Sequence, residues 1–227
     1  MKVPDPENIG HRARLRQRLL SAGGEALSDH ELIEYLLATA IPRRDTKPLA
    51  KNLLARFGGL GGLLSADTAS LLAVSGLGDT SVAAIKIVQA IVARRTKAEI
   101  INRPVLANWQ ALLDYLRVSI AHRPKEEFHV LHLNTRNELI HDQKMSEGTI
   151  DQAAVHIREV IKGAMDAGAA AMILVHNHPS GDPQPSRADI ELTRRIADAA
   201  KRLDITVHDH IIIGAKGHSS LRAMGLI

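Results

Sequence analysis

The apolar positions divide the chain into two regimes. Over the first hundred residues they recur every three or four positions, the period of an amphipathic helix. Leu15, Leu19 and Leu20 mark one side of a basic helix over 12–22. Leu32, Ile33, Leu36 and Leu37 follow Ser28-Asp29-His30-Glu31, whose Ser and Glu three apart form a capping-box signature. The next helix opens at Asp45 or Thr46 and stops at Gly58-Gly59. Short helices over 60–64 and 69–74 lead to Gly76-Leu77-Gly78, and a longer helix runs from Asp79 or Thr80 to about Arg95. No strand-like alternation occurs in this half.

The segment 96–103 is polar and Pro104 interrupts the helical pattern. The reading therefore splits the chain into a helical domain, 1–100, and a second domain, 104–227. In the second, Asn108 caps a helix through Ile120. Segments 127–133 and 138–143 read as strands joined by the turn Asn134-Thr135-Arg136-Asn137. A helix starting at Ile150 or Asp151 and ending near Gly168 follows, then an apolar strand over 171–176. A loop rich in Pro and Gly leads to a helix from Ser186 to about Leu203, a strand over 205–213, and the turn Gly214-Ala215-Lys216-Gly217. Helices interleaved with strands predict an α/β (α+β) domain, a mixed sheet flanked by helices, behind a small all-α domain.

Composition narrows the function classes. Only Trp109, Tyr35, Tyr115, Phe57 and Phe128 are aromatic, so the cores are aliphatic and base stacking on single strands is disfavoured. Cysteine is absent, which excludes disulfides, thiolate metal sites and a cysteine nucleophile. The apolar run 169–175 is too short to cross a bilayer, and the first residues, MKVPDPENIGHRARLRQR, lack the apolar core of a secretory signal. The expectation is a cytoplasmic protein without membrane contact. Residues 1–100 hold 14 Lys and Arg against 10 Asp and Glu, whereas the rest is balanced. Ten of the twelve histidines lie beyond residue 100. A basic module followed by a histidine-rich one suggests two jobs.

The chemistry concentrates in His176-Asn177-His178-Pro179-Ser180-Gly181-Asp182-Pro183-Gln184-Pro185-Ser186-Arg187-Ala188-Asp189. Two imidazoles two residues apart at a strand end project to one side and can close on one metal ion. The proline-stiffened loop brings Asp189 into the first turn of the next helix, where its carboxylate can point back as a third ligand. Two nitrogens and an oxygen leave a fourth position open, the catalytic arrangement for zinc, which lowers the pKa of water to about 7. A plainer reading stands beside it: Ser186-x-x-Asp189 is a helix N-terminal signature in its own right. His208-Asp209-His210 places two histidines on one face of a strand, where one can orient a ligand. Asp182 sits in the turn as a solvated group. His129, His132, His141, His156 and the Arg158-Glu159 pair carry no readable pattern.

The spacing His176-x-His178-x7-Ser186-x2-Asp189 matches the JAMM (MPN+) metalloprotease motif. The string HNHPSGDPQPS, with Asp189 and the later DHIIIG of 209–214, resembles the RadC (UPF0758-like) family. LSDHELIEYLL and LLARFGGLGGLLSA are similar to that family's N-terminal region, so the resemblance covers nearly the whole chain. It implies one Zn2+ per chain on His176, His178 and Asp189, with Ser186 donating to the oxyanion. It also implies a glutamate general base on an early strand, for which Glu126 and Glu127 are both candidates. Adjacent strand residues face opposite sides, so only one can reach the metal, and both faces of this strand carry apolar groups. The family's glutamate directly precedes an aromatic residue, which points to Glu127 before Phe128. The implied reaction is hydrolysis of an amide, peptide or isopeptide bond in a protein or peptide.

The segment around Gly76 and Gly78 looks like a helix-hairpin-helix. Two glycines permit a tight turn, and the following helix start with Lys86, Arg94 and Arg95 suits a nucleic-acid phosphate. Asp79 opposes that reading. The rival function is accordingly a DNA-associated, repair-related factor that binds through this module while the metal domain is accessory.

Overall fold

A computed structural model describes residues 6–101, 103–148 and 155–227. They fall into two compact units, Met1–Ile91 and Val92–Ile227.

The first unit is helical, as the apolar spacing predicts. α1 is Pro6–Ala22, α2 Asp29–Ala40, α3 Lys47–Phe57, α4 Leu60–Ser65 and α5 Thr68–Leu72. α6, Asp79–Ile100, begins in this unit. The Ser28/Glu31 capping box forms as read. α3 ends on Gly58 in the left-handed region, φ 73°. Ile33, Leu37, Leu49, Leu53, Leu63, Leu71 and Ile85 converge on one aliphatic core. The two units divide inside α6, because that helix does not stop near Arg95. An Arg95–Glu99 pair one turn apart and a Thr96 hydroxyl bonded back to the Val92 carbonyl carry it on to Ile100.

The second unit is a five-stranded mixed sheet with helices on both faces. α7 is Trp109–Ile120, β1 Glu126–Leu133, β2 Leu139–Gly148, α8 Ile157–Asp166, β3 Ala171–Asn177, α9 Arg187–Lys201, β4 Thr206–Gly214 and β5 Gly217–Ser220. The expected helix start at Ile150 or Asp151 lies outside the described residues. The strand order is β2-β1-β3-β4-β5, with only β3 and β4 parallel.

β3 is central and buried at all seven positions, which is why it reads as an unbroken apolar run. Its odd positions, Ala171, Ile173 and Val175, pack with Leu131 and Leu133 of β1 against Leu112, Leu116 and Ile120 of α7. Its even positions, Met172 and Leu174, pack with Phe128 and Val130 against Val160 of α8 and Ile196 and Ala200 of α9. Each such side chain contributes roughly 1.5–3 kcal/mol by leaving water.

Candidate metal centre

β3 runs out of apolar residues at His176, and the alternation carries His176 and His178 to the α9 side of the sheet. Their Nε2 atoms stand 2.9 Å apart. The loop between β3 and α9 folds back on the β4–β5 turn. The Gly181 carbonyl accepts from the Lys216 N–H at 3.1 Å, and a Cβ on Gly214 would lie 2.3 Å from that carbonyl oxygen. Gly214 is therefore a close-approach position. The fold-back presents the Asp182 carbonyl to His178 Nδ1 at 2.8 Å.

Ser186 caps α9, and Asp189 is the third helical residue. The Ser186 N–H and hydroxyl both donate to Asp189 Oδ2, at 2.7 and 2.6 Å, and the Asp189 N–H donates to Ser186 Oγ at 3.1 Å. The capping box and the ligand position are thus the same residue pair. Asp189 Oδ1 lies 3.5 Å from His176 Nε2, and Oδ2 lies 3.8 Å from His178 Nε2. One donor atom from each of the three residues falls within 4.8 Å of the other two.

The hydrogen-bond partners determine which ring nitrogens are available. A backbone carbonyl only accepts, so His178 Nδ1 carries a hydrogen toward Asp182. His176 Nδ1 lies 2.8 Å from His210 Nε2, and His210 Nδ1 meets the Thr193 hydroxyl. That hydroxyl donates to the Asp189 carbonyl. With its proton spent there, Thr193 accepts from His210 Nδ1, and His210 Nε2 accepts from His176 Nδ1. With one hydrogen per ring, both histidines then present Nε2 lone pairs to each other. Burial holds the His176 and His210 rings well below the usual imidazole range, so they stay uncharged. Two facing lone pairs beside a carboxylate suit a divalent cation: two imidazole nitrogens and one oxygen are an open zinc-type donor set.

Glu126, not Glu127, stands beside this group. Glu126 Oε1 is 3.9 Å from His176 Nε2. Burial raises its pKa; His178 pulls it down and Asp189 adds to the rise. Glu127 points to the α7 side. It pairs with His129 Nε2 at 3.2 Å, Lys144 at 3.8 Å and Arg123 at 4.0 Å. The His129 hydrogen bond holds its carboxyl below the usual range against the opposing effect of burial. The carboxylate beside the histidines is thus that of Glu126 and not that of Glu127, the residue expected there. Pleating sends neighbours to opposite faces, and the face shared by Phe128 and Val130 is the one that meets the histidines.

The RadC-like JAB domain family matches residues 106–226, the span that holds every group just described. The chain belongs to the RadC-like JAB domain family. Residues 7–83 match the UPF0758 N-terminal family. The chain is 49% identical over 213 residues to a protein of Rhodobacter capsulatus called UPF0758 protein, covering 94% of this chain and all of the relative. JAB domains are a metal-dependent hydrolase type and often bind zinc, in keeping with the donor set here.

Three functional side chains of this JAB domain escape sequence reasoning in whole or part. His210 supports His176, but His208 does not lie with it: His208 Nε2 bonds Asn137 at 2.7 Å. A register shift pairs Met172 with Val207 and Ile173 with Asp209, so His208 is the extra residue of a bulge and the alternation breaks there. Asp209 instead staples the C-terminal turn through Ser220 and the Arg222 N–H. Thr193 was legible only as Asp189 plus one helical turn. Asn177 carried no signal beyond its place between the histidines.

In the UPF0758-like N-terminal region the glycine turn forms, with Gly76 at φ 97°. Two of its groups have partners within the chain. The Gly78 N–H donates to Ser81 Oγ at 2.9 Å. Lys86 Nζ donates to the Ala66 carbonyl at 2.8 Å and to Gln89 at 2.6 Å. Lys86, expected to offer its charge to a phosphate, places its ammonium at the C-terminal end of α4. The Arg44 guanidinium lies over the turn, 2.8 Å from where a Cβ on Gly76 would be.

Proposed function

We propose that the chain is a zinc-dependent hydrolase of amide-type bonds, peptide or isopeptide, in a protein or peptide substrate. The observation that carries the proposal is the pair of Nε2 lone pairs of His176 and His178, facing each other beside Asp189 and Glu126. A bound divalent cation would supply Lewis-acid polarisation of the scissile carbonyl and a more acidic water. The rest is the work of the chain. His176, His178 and Asp189 would hold the cation, and Thr193, His210 and the Asp182 carbonyl fix the two rings in the tautomers that expose Nε2. Glu126, its pKa raised by burial, takes the proton of the attacking water on its carboxylate and returns it to the leaving amine. Ser186 first serves Asp189. Its expected donation to the oxyanion requires its hydroxyl to turn from that carboxylate.

Elemental analysis of the purified chain tests this. About one zinc per chain is expected, and none in His176→Ala/His178→Ala. On a panel of peptide amides, Glu126→Gln should keep its zinc and lose about a hundredfold or more in turnover. Glu127→Gln should lose stability and keep turnover. A wild-type chain that takes up no zinc when zinc is supplied would end the proposal.

A further inference from the structure

Asn177 separates the two histidines and is fully buried. The alternation that sends His176 and His178 to the α9 side sends Asn177 to the other. There it does something the backbone does not. The ladder between β1 and β3 ends at the pair Phe128↔His176. Beyond that pair no backbone register holds Glu126 and Glu127 to β3. On the β2 side they are paired with Gly148 and Glu147.

The Asn177 carboxamide takes over on the β3 side. Its Oδ1 accepts from the Glu127 N–H at 2.8 Å. Its Nδ2 donates to the Lys125 carbonyl at 3.1 Å and the Arg123 carbonyl at 3.3 Å. The amide orientation is unambiguous, because its oxygen meets a donor and its nitrogen meets two acceptors. These bonds fall on both sides of Glu126 and on none of its own atoms. The backbone is therefore fixed immediately before and after the one carboxylate that stands beside the histidines. A displacement on the scale of an ångström at such a group suffices to cost catalysis heavily.

We propose that Asn177 is a positioning residue: its carboxamide clamps the chain on either side of Glu126 and so sets where that carboxylate stands relative to His176 and His178. The inference rests on the proposed role of Glu126. Asparagine suits the task because it supplies one acceptor and two donors in a plane. Aspartate lacks the donors, and serine has one donor hydrogen where the two carbonyls call for two.

The test uses the full chain loaded with cobalt(II), titrated with acetohydroxamate and followed by cobalt absorption. The hydroxamate chelates a divalent cation through its two oxygens and gives its proton to a neighbouring carboxylate, so its affinity reports where that carboxylate stands. Glu126→Gln should weaken it about tenfold or more, as loss of one charge-assisted hydrogen bond predicts. Asn177→Ala should weaken it comparably with cobalt content unchanged. The double variant should be no weaker than Glu126→Gln alone. Glu127 amide exchange should quicken in Asn177→Ala without cobalt. If Asn177→Ala fails to fold, Asn177→Ser carries the same cycle. Unchanged affinity in the Asn177 variant, or a loss that adds in full to that of Glu126→Gln, overturns the inference and leaves the hydrolase standing. Failure of Glu126→Gln to weaken binding, or failure to hold cobalt, overturns the role of Glu126 or the metal centre, and the inference with it.

Discussion

His129 shows how much a single side chain's surroundings decide. It lies between two carboxylates, with Asp142 Oδ1 2.8 Å from Nδ1 and Glu127 Oε2 3.2 Å from Nε2. The Tyr115 hydroxyl donates to the second oxygen of Asp142. Burial opposes charge on the ring, but the hydrogen bonds to Asp142 and Glu127 outweigh it and lift its pKa to about 9. The imidazolium thus favours the fold, fully so below its unfolded pKa of about 6.5. That contribution is lost as pH rises through about 9. Stability measured by urea should accordingly decline between those two values, by on the order of 3 kcal/mol. His129→Gln should flatten this limb, and an NMR titration should find the wild-type ring still charged at pH 8. A limb unaltered in the variant would sink the assignment. The same cluster explains why periodicity left Glu126 and Glu127 undecided and the choice fell on Glu127 by resemblance alone. Helices cover both faces of the sheet, so apolar residues flank both glutamates, and only the partners across each face separate a paired carboxylate from one beside the histidines.

At the scale of the element, α9 is both a helix and the source of one of the three candidate ligands. Its first turn contains Ser186 and Asp189. One turn on, Thr193 ties the Asp189 carbonyl to His210 and through it to His176. Thr193→Val keeps the shape and removes the hydroxyl. Zinc affinity measured by chelator competition should then fall about 10–100-fold, the usual cost of losing a group behind a ligand. An unchanged affinity would mean that the row of hydrogen bonds does not orient His176. The elements themselves were legible where one pattern dominated. β3 announced itself by an apolar run ending in His-x-His, and α9 by Ser186-x-x-Asp189. β5 did not, because Gly217-His218-Ser219-Ser220 has no apolar alternation; it is an edge strand held by the ladder to β4. The end of β2 was also hidden, since its residues beyond Gln143 are mostly polar and partly exposed.

Across the whole molecule, the helical unit followed by a mixed-sheet unit was readable from the change of period alone. The point of division was not, because α6 carries helix-compatible residues straight through the polar stretch. No helix among the described residues is long and apolar enough to cross a membrane. A ligand that binds only the folded chain stabilises it by mass action, so zinc at a hundred times its dissociation constant should add about 2.7 kcal/mol. Chelator should lower the melting temperature of the wild type and leave that of His176→Ala/His178→Ala unmoved. Equal shifts in both would place the metal elsewhere. The double duty of Asp189 also bears on which ion the molecule draws from a mixture. Oδ2 is occupied by two hydrogen bonds from Ser186, which leaves Oδ1 as the readier donor. Calcium takes six to eight oxygens, so two imidazole nitrogens and one carboxylate oxygen would disfavour it. Ser186→Ala removes the hydroxyl's hydrogen bond to the second oxygen and leaves the backbone one, and competition between manganese and zinc should then tilt toward manganese. On the proposed reading, the choice of metal would fall to the residue that starts a helix.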